Sequence, residues 1–153
     1  MLSRLKSYLS QNPTPSPSTL LLLDSGKDYA LYRYDARNNM TSAVTDGVTT
    51  TNTYNGDGLR VSKTTDGETL YYAYEYDNII LELDESGNQV AQNVWGTRQI
   101  SRKTSAGTVY FMVNGHGDVT ALVDSSSNVI AAYYYDPWGK QREESGEFDN
   151  PYR

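Results

Sequence analysis

The sequence predicts an all-β fold built from stacked antiparallel β-hairpins of about 20 residues each, forming a curled strip of sheet. Three observations carry this. Short Gly- or Asn-bearing turns recur at a nearly constant interval. The segments between them alternate apolar and polar residues with period 2. No stretch after residue 27 has a 3.6-residue apolar period.

The chain divides near residue 27. Residues 1–10 place Leu2, Leu5 and Leu9 at helical spacing, which allows a short helix or coil that is marginal alone. Pro13, Pro15 and Pro17 then stand at every second position among Ser and Thr, which forbids helix and predicts an extended linker. Asp24, Ser25 and Gly26 read as a turn. The expected organisation is an N-terminal arm over 1–27 and a hairpin-repeat domain over 28–153.

The first turn series is Asp46-Gly47, Asp66-Gly67, Ser86-Gly87, Ala106-Gly107, Ser127-Asn128 and Ser145-Gly146. Its second members are 20, 20, 20, 21 and 18 residues apart. Gly and Asn accept the positive φ of type I′ hairpin turns at least cost. A second series lies between these turns: Tyr34-Asp35, Tyr54-Asn55, Tyr76-Asp77, Trp95-Gly96, Val113-Asn114 and Tyr135-Asp136. Several carry Gly or Asn four residues after the first member: Asn38, Gly58, Gly117 and Gly139. Two turns per repeat leave two strands of roughly six to eight residues, so the unit is a hairpin. The residues expected to hold the repeat are therefore Tyr34, Asp35, Tyr54, Asn55, Tyr76, Asp77, Trp95, Tyr135 and Asp136, with the turn glycines Gly47, Gly67, Gly87, Gly107 and Gly139.

The strands show the matching alternation. Leu70, Tyr72, Tyr74 and Tyr76 oppose Tyr71, Ala73, Glu75 and Asp77. Ile79, Leu81 and Leu83 oppose Ile80, Glu82 and Asp84, and Val119, Ala121 and Val123 oppose Thr120, Leu122 and Asp124. A lone hairpin cannot bury its apolar face, so neighbours stack into a sheet of about twelve strands that curls with strand twist. Its open ends invite pairing with further repeats or self-association.

Composition fits a thin core. The chain has 153 residues, 37% hydrophobic, with 14 Tyr but 2 Phe and 2 Trp. Counting Gly in place of Tyr leaves roughly 36%, against the usual ~45–50% on that definition. With no Cys and one His, no disulfide framework, thiolate site or multi-histidine zinc site is available. A net charge of -6 argues against nucleic acid as a partner. The apolar run Leu20–Leu23 is far too short to span a membrane. Polar residues break the apolar stretch a signal peptide would need after Arg4 and Lys6.

Candidate sites are read as structural. His116, within Asn114-Gly115-His116-Gly117-Asp118, is expected at a hairpin tip, since no second His or nucleophile accompanies it. The recurrent acids Asp35, Asp57, Asp66, Asp77, Asp84, Asp118, Asp124 and Asp136 read as turn caps rather than a glycosidase pair or calcium ligands. Gly115 and Gly117 do not complete a dinucleotide fingerprint. No catalytic residue, cofactor or metal is expected. Exposed tyrosine rows offer an alternative role in carbohydrate binding, because Tyr rings stack on sugars. A remote alternative is self-processing at Asp136-Pro137.

YNGDGLRVSK at 54–63, YEYD at 74–77, LELDESGNQV at 81–90, NGHGDVTALVD at 114–124, VIAAYYYDPWG at 129–139 and NPYR at 150–153 together resemble the YD-repeat, or Rhs, family, over roughly residues 28–153. The last third is similar to that family's Rhs-associated core. The resemblance implies a strip of β-shell wall that in the family encloses a C-terminal toxin and serves toxin delivery or cell-surface contact. It implies a non-enzymatic scaffold fragment, secreted or at the cell surface, with further repeats, a toxin segment or a surface glycan as partner. About six units are too few to close a shell by the family pattern. The chain also stops before the family's self-cleavage and toxin regions.

Overall fold

The computed structural model describes residues 19–23, 29–146 and 148. The expected N-terminal helix or coil, the proline linker, the Asp24-Ser25-Gly26 turn and the NPYR segment lie outside the described residues. The fold is all-β. Its strands are β1 (Thr19–Leu23), β2 (Tyr29–Tyr34), β3 (Met40–Thr45), β4 (Val48–Tyr54), β5 (Arg60–Thr65), β6 (Glu68–Glu75) and β7 (Asn78–Leu83), followed by β8 (Gln89–Trp95), β9 (Gln99–Thr104), β10 (Gly107–Val113), β11 (Val119–Val123), β12 (Val129–Tyr135) and β13 (Gln141–Gly146). Strand neighbours follow chain order in a 13-stranded sheet. β1 pairs antiparallel with β2, so pairing begins N-terminal to the boundary at residue 28.

The chain forms two compact units, residues 1–71 and 72–153. The first carries a series of cross-strand hydroxyl pairs. Thr50 and Thr65 stand opposite each other with their hydroxyls 3.0 Å apart. Thr53 and Ser62 are joined at 2.6 Å, and Thr64 and Thr69 at 3.0 Å. Cross-strand hydroxyl pairs of this kind stabilise the sheet. Among the described side chains of this unit, Leu31 is the apolar one that is buried.

The second unit carries a conventional apolar cluster. Val109, Phe111, Leu122, Ala131 and Tyr133 are buried together, with Val119, Ile130, Tyr135 and Phe148 packed against them. Phe111 faces Leu122, and Leu122 faces Ala131, across adjacent strands. The cluster thus runs over three strands on one sheet face.

Two loop types alternate with the strands, and they differ from the single turn type expected. Asp46-Gly47 and Asp66-Gly67 close two-residue hairpins between Thr45↔Val48 and Thr65↔Glu68, with both turn residues at positive φ. Gly107 instead pairs with Thr104 at the start of β10. Ser86-Gly87 and Ser127-Asn128 fall in five-residue loops over 84–88 and 124–128. Ser145-Gly146, read as a turn, lies within β13, where Gly146 faces Ala131. A Cβ at Gly146 would collide with the backbone of Ile130 and Ala131, so close strand approach explains that glycine.

Register shifts accompany the longer loops. They occur at Arg33/Tyr34, Thr53/Tyr54, Val94/Trp95 and Tyr134/Tyr135, among others. Each aromatic therefore stands at the last strand position beside a bulge. The two-residue hairpins closed at Thr45↔Val48 and Thr65↔Glu68 show no such shift.

Candidate functional site

The five-residue loops share one mechanism. An Asp or Asn at the first position accepts backbone N–H groups from the third and fifth residues through Oδ1. Asp84 accepts from Ser86 N at 2.9 Å and Asn88 N at 2.8 Å. Asp124 does the same with Ser126 and Asn128, and Asp35 with Arg37 and Asn39. At the fifth residue, the Asn39, Asn88 and Asn128 amides donate to the second carboxylate oxygen. Those side-chain bonds, joined by the backbone ones, hold Asp35, Asp84 and Asp124 below the usual carboxylate range. Asp136 is lowered chiefly by the Lys140 N–H, then by Trp138 N–H and the Arg142 side chain. Asn55 and Asn114 make the same loop with an amide oxygen.

The aromatics at the bulges anchor neighbouring strands. Tyr54 Oη donates to Met40 O at 2.9 Å, and Asn52 Nδ2 donates to the same oxygen. In the second unit Trp95 Nε1 and Asn93 Nδ2 both donate to Ile79 O. Tyr34 and Tyr135 occupy the corresponding last positions of β2 and β12. Tyr76 does not: it sits in the tip between β6 and β7, at φ 54, and is 89% exposed. Gly47, Gly67, Gly87, Gly107 and Gly139 all have positive φ.

A buried polar network went unrecognised in the sequence. The Arg102 guanidinium on β9 is bidentate on Glu82 of β7, with Nη2 to Oε2 at 3.0 Å. Arg102 Nη1 and Gln99 Nε2 also donate to Asn93 Oδ1, each at 3.1 Å. The pair reaches across β8, where Ala91 faces Glu82 and Asn93 faces Arg102. Ala91 is fully buried and small enough to let the two long side chains meet. Both Glu82 oxygens are held by Arg102, so this is an internal cross-strand tie. Its signal was available, since Glu82 and Arg102 are 20 residues apart, one repeat length.

The most chemically varied surface is one rim of the second unit. Loops 76–77, 96–98, 114–118 and 136–140 emerge at the same end of their strands. They present Tyr76, Arg98, His116, Lys140 and Trp138, which is 90% exposed. Of the acids there, Asp77 is exposed beside Tyr76, Asp118 accepts from Asn114 Nδ2, and Asp136 is paired with Arg142. The loops at the opposite end, 84–88, 105–106 and 124–128, contain Asp84, Glu85 and Asp124 and no Lys or Arg. Among the described residues no group of acids and histidines could hold a metal. His116 lies in the exposed 114–118 loop, its N–H bonded to Asn114 Oδ1.

No model of a protein family matches the chain. Among curated proteins it is 36% identical over 132 residues to the tRNA3(Ser)-specific nuclease WapA of Bacillus spizizenii. It is 35% identical over 132 residues to the tRNA nuclease WapA of Bacillus subtilis strain 168, and 36% identical to the tRNA(Glu)-specific nuclease WapA of Bacillus subtilis subsp. natto. Each match covers 80% of this chain but the chain spans only 6% of each relative's length.

These relatives correct four expectations. The resemblance to generic Rhs/YD-repeat proteins gives way to similarity with tRNA nucleases. The roles of scaffold and carbohydrate binder, and that of self-processing chain, are overturned by the same matches, as is the expectation of no enzyme. The exclusion of nucleic acid as a partner falls too. It rested on the net charge of -6, whereas the relatives that overturn it are named tRNA nucleases.

Proposed function

We propose that this chain is a segment of a tRNA nuclease, and that the protein it belongs to cleaves tRNA. The observation that carries this reading is 36% identity over 132 residues with a tRNA3(Ser)-specific nuclease. The relatives bear different tRNA names yet match the chain to nearly the same degree, 35% and 36%. That uniformity supports placing the residues that choose one tRNA over another outside the shared segment. The acidic balance agrees, because affinity for a polyanion rests on Lys and Arg contacts to phosphate.

The test is to incubate the purified full-length protein with a total tRNA pool and to sequence the fragments. Cleavage confined to one tRNA, or to one small set, is expected. A pool left intact over hours at several salt concentrations overturns the reading.

A further inference from the structure

We propose that the loop at 114–118 is a self-modification site, in which Asn114 cyclises onto the Gly115 nitrogen, loses ammonia and becomes aspartate or isoaspartate.

The pairing of Asn with Gly is the first observation. Among the described residues, six loops of five residues share one backbone scheme. The four that start with Asp continue with Ala36, Glu85, Ser125 and Pro137, whereas the two that start with Asn55 and Asn114 continue with Gly56 and Gly115. Neither glycine has positive φ, and nothing lies within 4 Å of a Cβ built on either. Backbone conformation and packing therefore do not require them. What each supplies is an unshielded nitrogen beside an Asn side-chain amide. The N–H bonds of the 114 loop come from Asn114, His116, Gly117 and Asp118, and leave the Gly115 N–H out.

The groups around Asn114 are the second observation. Cyclisation begins when the Gly115 N–H gives its proton to a solvent base, and the charge left on nitrogen is shared with Asn114 O. That oxygen accepts Gly117 N at 3.1 Å and Arg98 Nη1 at 3.4 Å, and a cation there favours the anion. The nitrogen then bonds to Asn114 Cγ, and the carbonyl electron pair moves onto Oδ1. Oδ1 accepts His116 N and Gly117 N at 2.9 Å and Asp118 N at 3.1 Å, so three donors already face the oxygen where charge develops. As that pair returns, the Cγ–Nδ2 bond breaks. Nδ2 leaves as ammonia with the proton that Gly115 gave up, relayed by water or by the Asp118 carboxylate, whose Oδ2 holds Nδ2 at 2.8 Å. Water then opens the cyclic imide, at Cγ to give Asp or at the backbone carbonyl to give isoaspartate. The 55 loop is the internal contrast. Asn55 Oδ1 accepts two N–H groups, from Asp57 and Leu59. Leu59 stands where Asp118 does, and Arg37 Nη1 reaches Gly56 O, one residue beyond the oxygen that would share the charge.

The product acts on the loop. Asp35, Asp84 and Asp124 face an Asn at the fifth position, but Asn114 faces Asp118. Conversion to Asp sets two carboxylates where an N–H now meets an oxygen at 2.8 Å, and like charges repel. Isoaspartate instead lengthens the main chain by a methylene. Both loosen the loop that carries His116 and holds Arg98.

The experiment ages the 153-residue chain near neutral pH, folded or in guanidinium chloride, and follows Asn55 and Asn114 by mass-spectrometric peptide mapping. The denatured chain gives the ratio of the two intrinsic Asn-Gly rates. Folding is expected to raise the ratio of Asn114 to Asn55 conversion roughly ten-fold, as one net hydrogen bond is worth. Arg98→Gln and Asp118→Asn are each expected to slow Asn114 in the folded chain by about five-fold. Asn55 should keep its rate in both variants, which checks that the fold is intact. A folded ratio equal to or below the denatured one overturns the proposal, and that comparison needs no variant to fold. A raised ratio that neither substitution lowers overturns it as well.

Discussion

Ser86 and Gly87 are neighbours in one loop but not in conformation. Gly87 has φ +80 and its N–H returns to Asp84 O at 3.0 Å, while Ser86 is absent from the positive-φ residues. Nothing lies within 4 Å of a Cβ built on Gly87, so the cost of a side chain there comes from the backbone alone. For Gly87→Val that cost is about 1–2 kcal/mol, because a left-handed residue with a Cβ crowds the following carbonyl. Ser86→Val at an exposed position should stay within about 0.5 kcal/mol. Thermal melts of the two variants are expected to separate clearly, and equal losses would sink the assignment. The position of this glycine was legible in the sequence, but its turn type was not. Counting glycines at a fixed interval merges two-residue tips with five-residue loops. The discriminating signal is the acceptor–donor pair four residues apart, as in Asp84 and Asn88 or Asp124 and Asn128. That pattern specifies the loop by hydrogen bonds from the first residue rather than by one permissive glycine.

At the level of strands, the alternation correctly separated the two faces yet left open which face was covered. Glu82 alternates with Ile79, Leu81 and Leu83, and a charged residue opposite an apolar row reads as facing solvent. Instead it is buried at 6% exposure, and Arg102 at 8%. The tie spans two strand spacings, so its partner cannot be found by inspecting one hairpin. Periodicity reports local geometry, whereas this contact depends on the small Ala91 between the two residues. Removing one member leaves a buried charge without its counter-ion. Glu82→Gln or Arg102→Met alone is therefore expected to cost about 3–5 kcal/mol in urea unfolding. The double change Glu82→Leu with Arg102→Met should cost far less than the two single losses together, since neither charge is then left behind. Strict additivity would show that the pair is not coupled. The same reasoning explains why β7, β8 and β9 hold register without a large apolar cluster: Asn93 and Gln99 satisfy the remaining bonds of the tie.

Across the whole molecule, the loop carboxylates make stability depend on acid in a direction that can be fixed. Asp35 in the first unit, and Asp84 and Asp124 in the second, are held below the usual range mainly by the Asn side chain at the fifth loop position. An unfolded Asp titrates near about 3.9. A folded value below that means the unfolded chain binds protons first as pH falls. The stabilisation is therefore complete above about pH 4 and fades as pH drops through the folded values. Asn55 and Asn114 indicate how to remove the effect while keeping the loop. Asn55 Oδ1 accepts Asp57 N at 3.0 Å and Leu59 N at 2.9 Å, the same pair of contacts, with no proton to gain. The triple variant Asp35→Asn, Asp84→Asn, Asp124→Asn gives up the carboxylate bonds from Asn39, Asn88 and Asn128, so it should melt slightly lower near neutral pH. Its melting temperature should then fall less than that of the unaltered chain between about pH 6 and pH 3. The two curves are expected to converge in acid. Parallel curves across that interval would mean that the loop carboxylates do not set the acid limit, leaving the Asp136–Arg142 pair as the next group to neutralise.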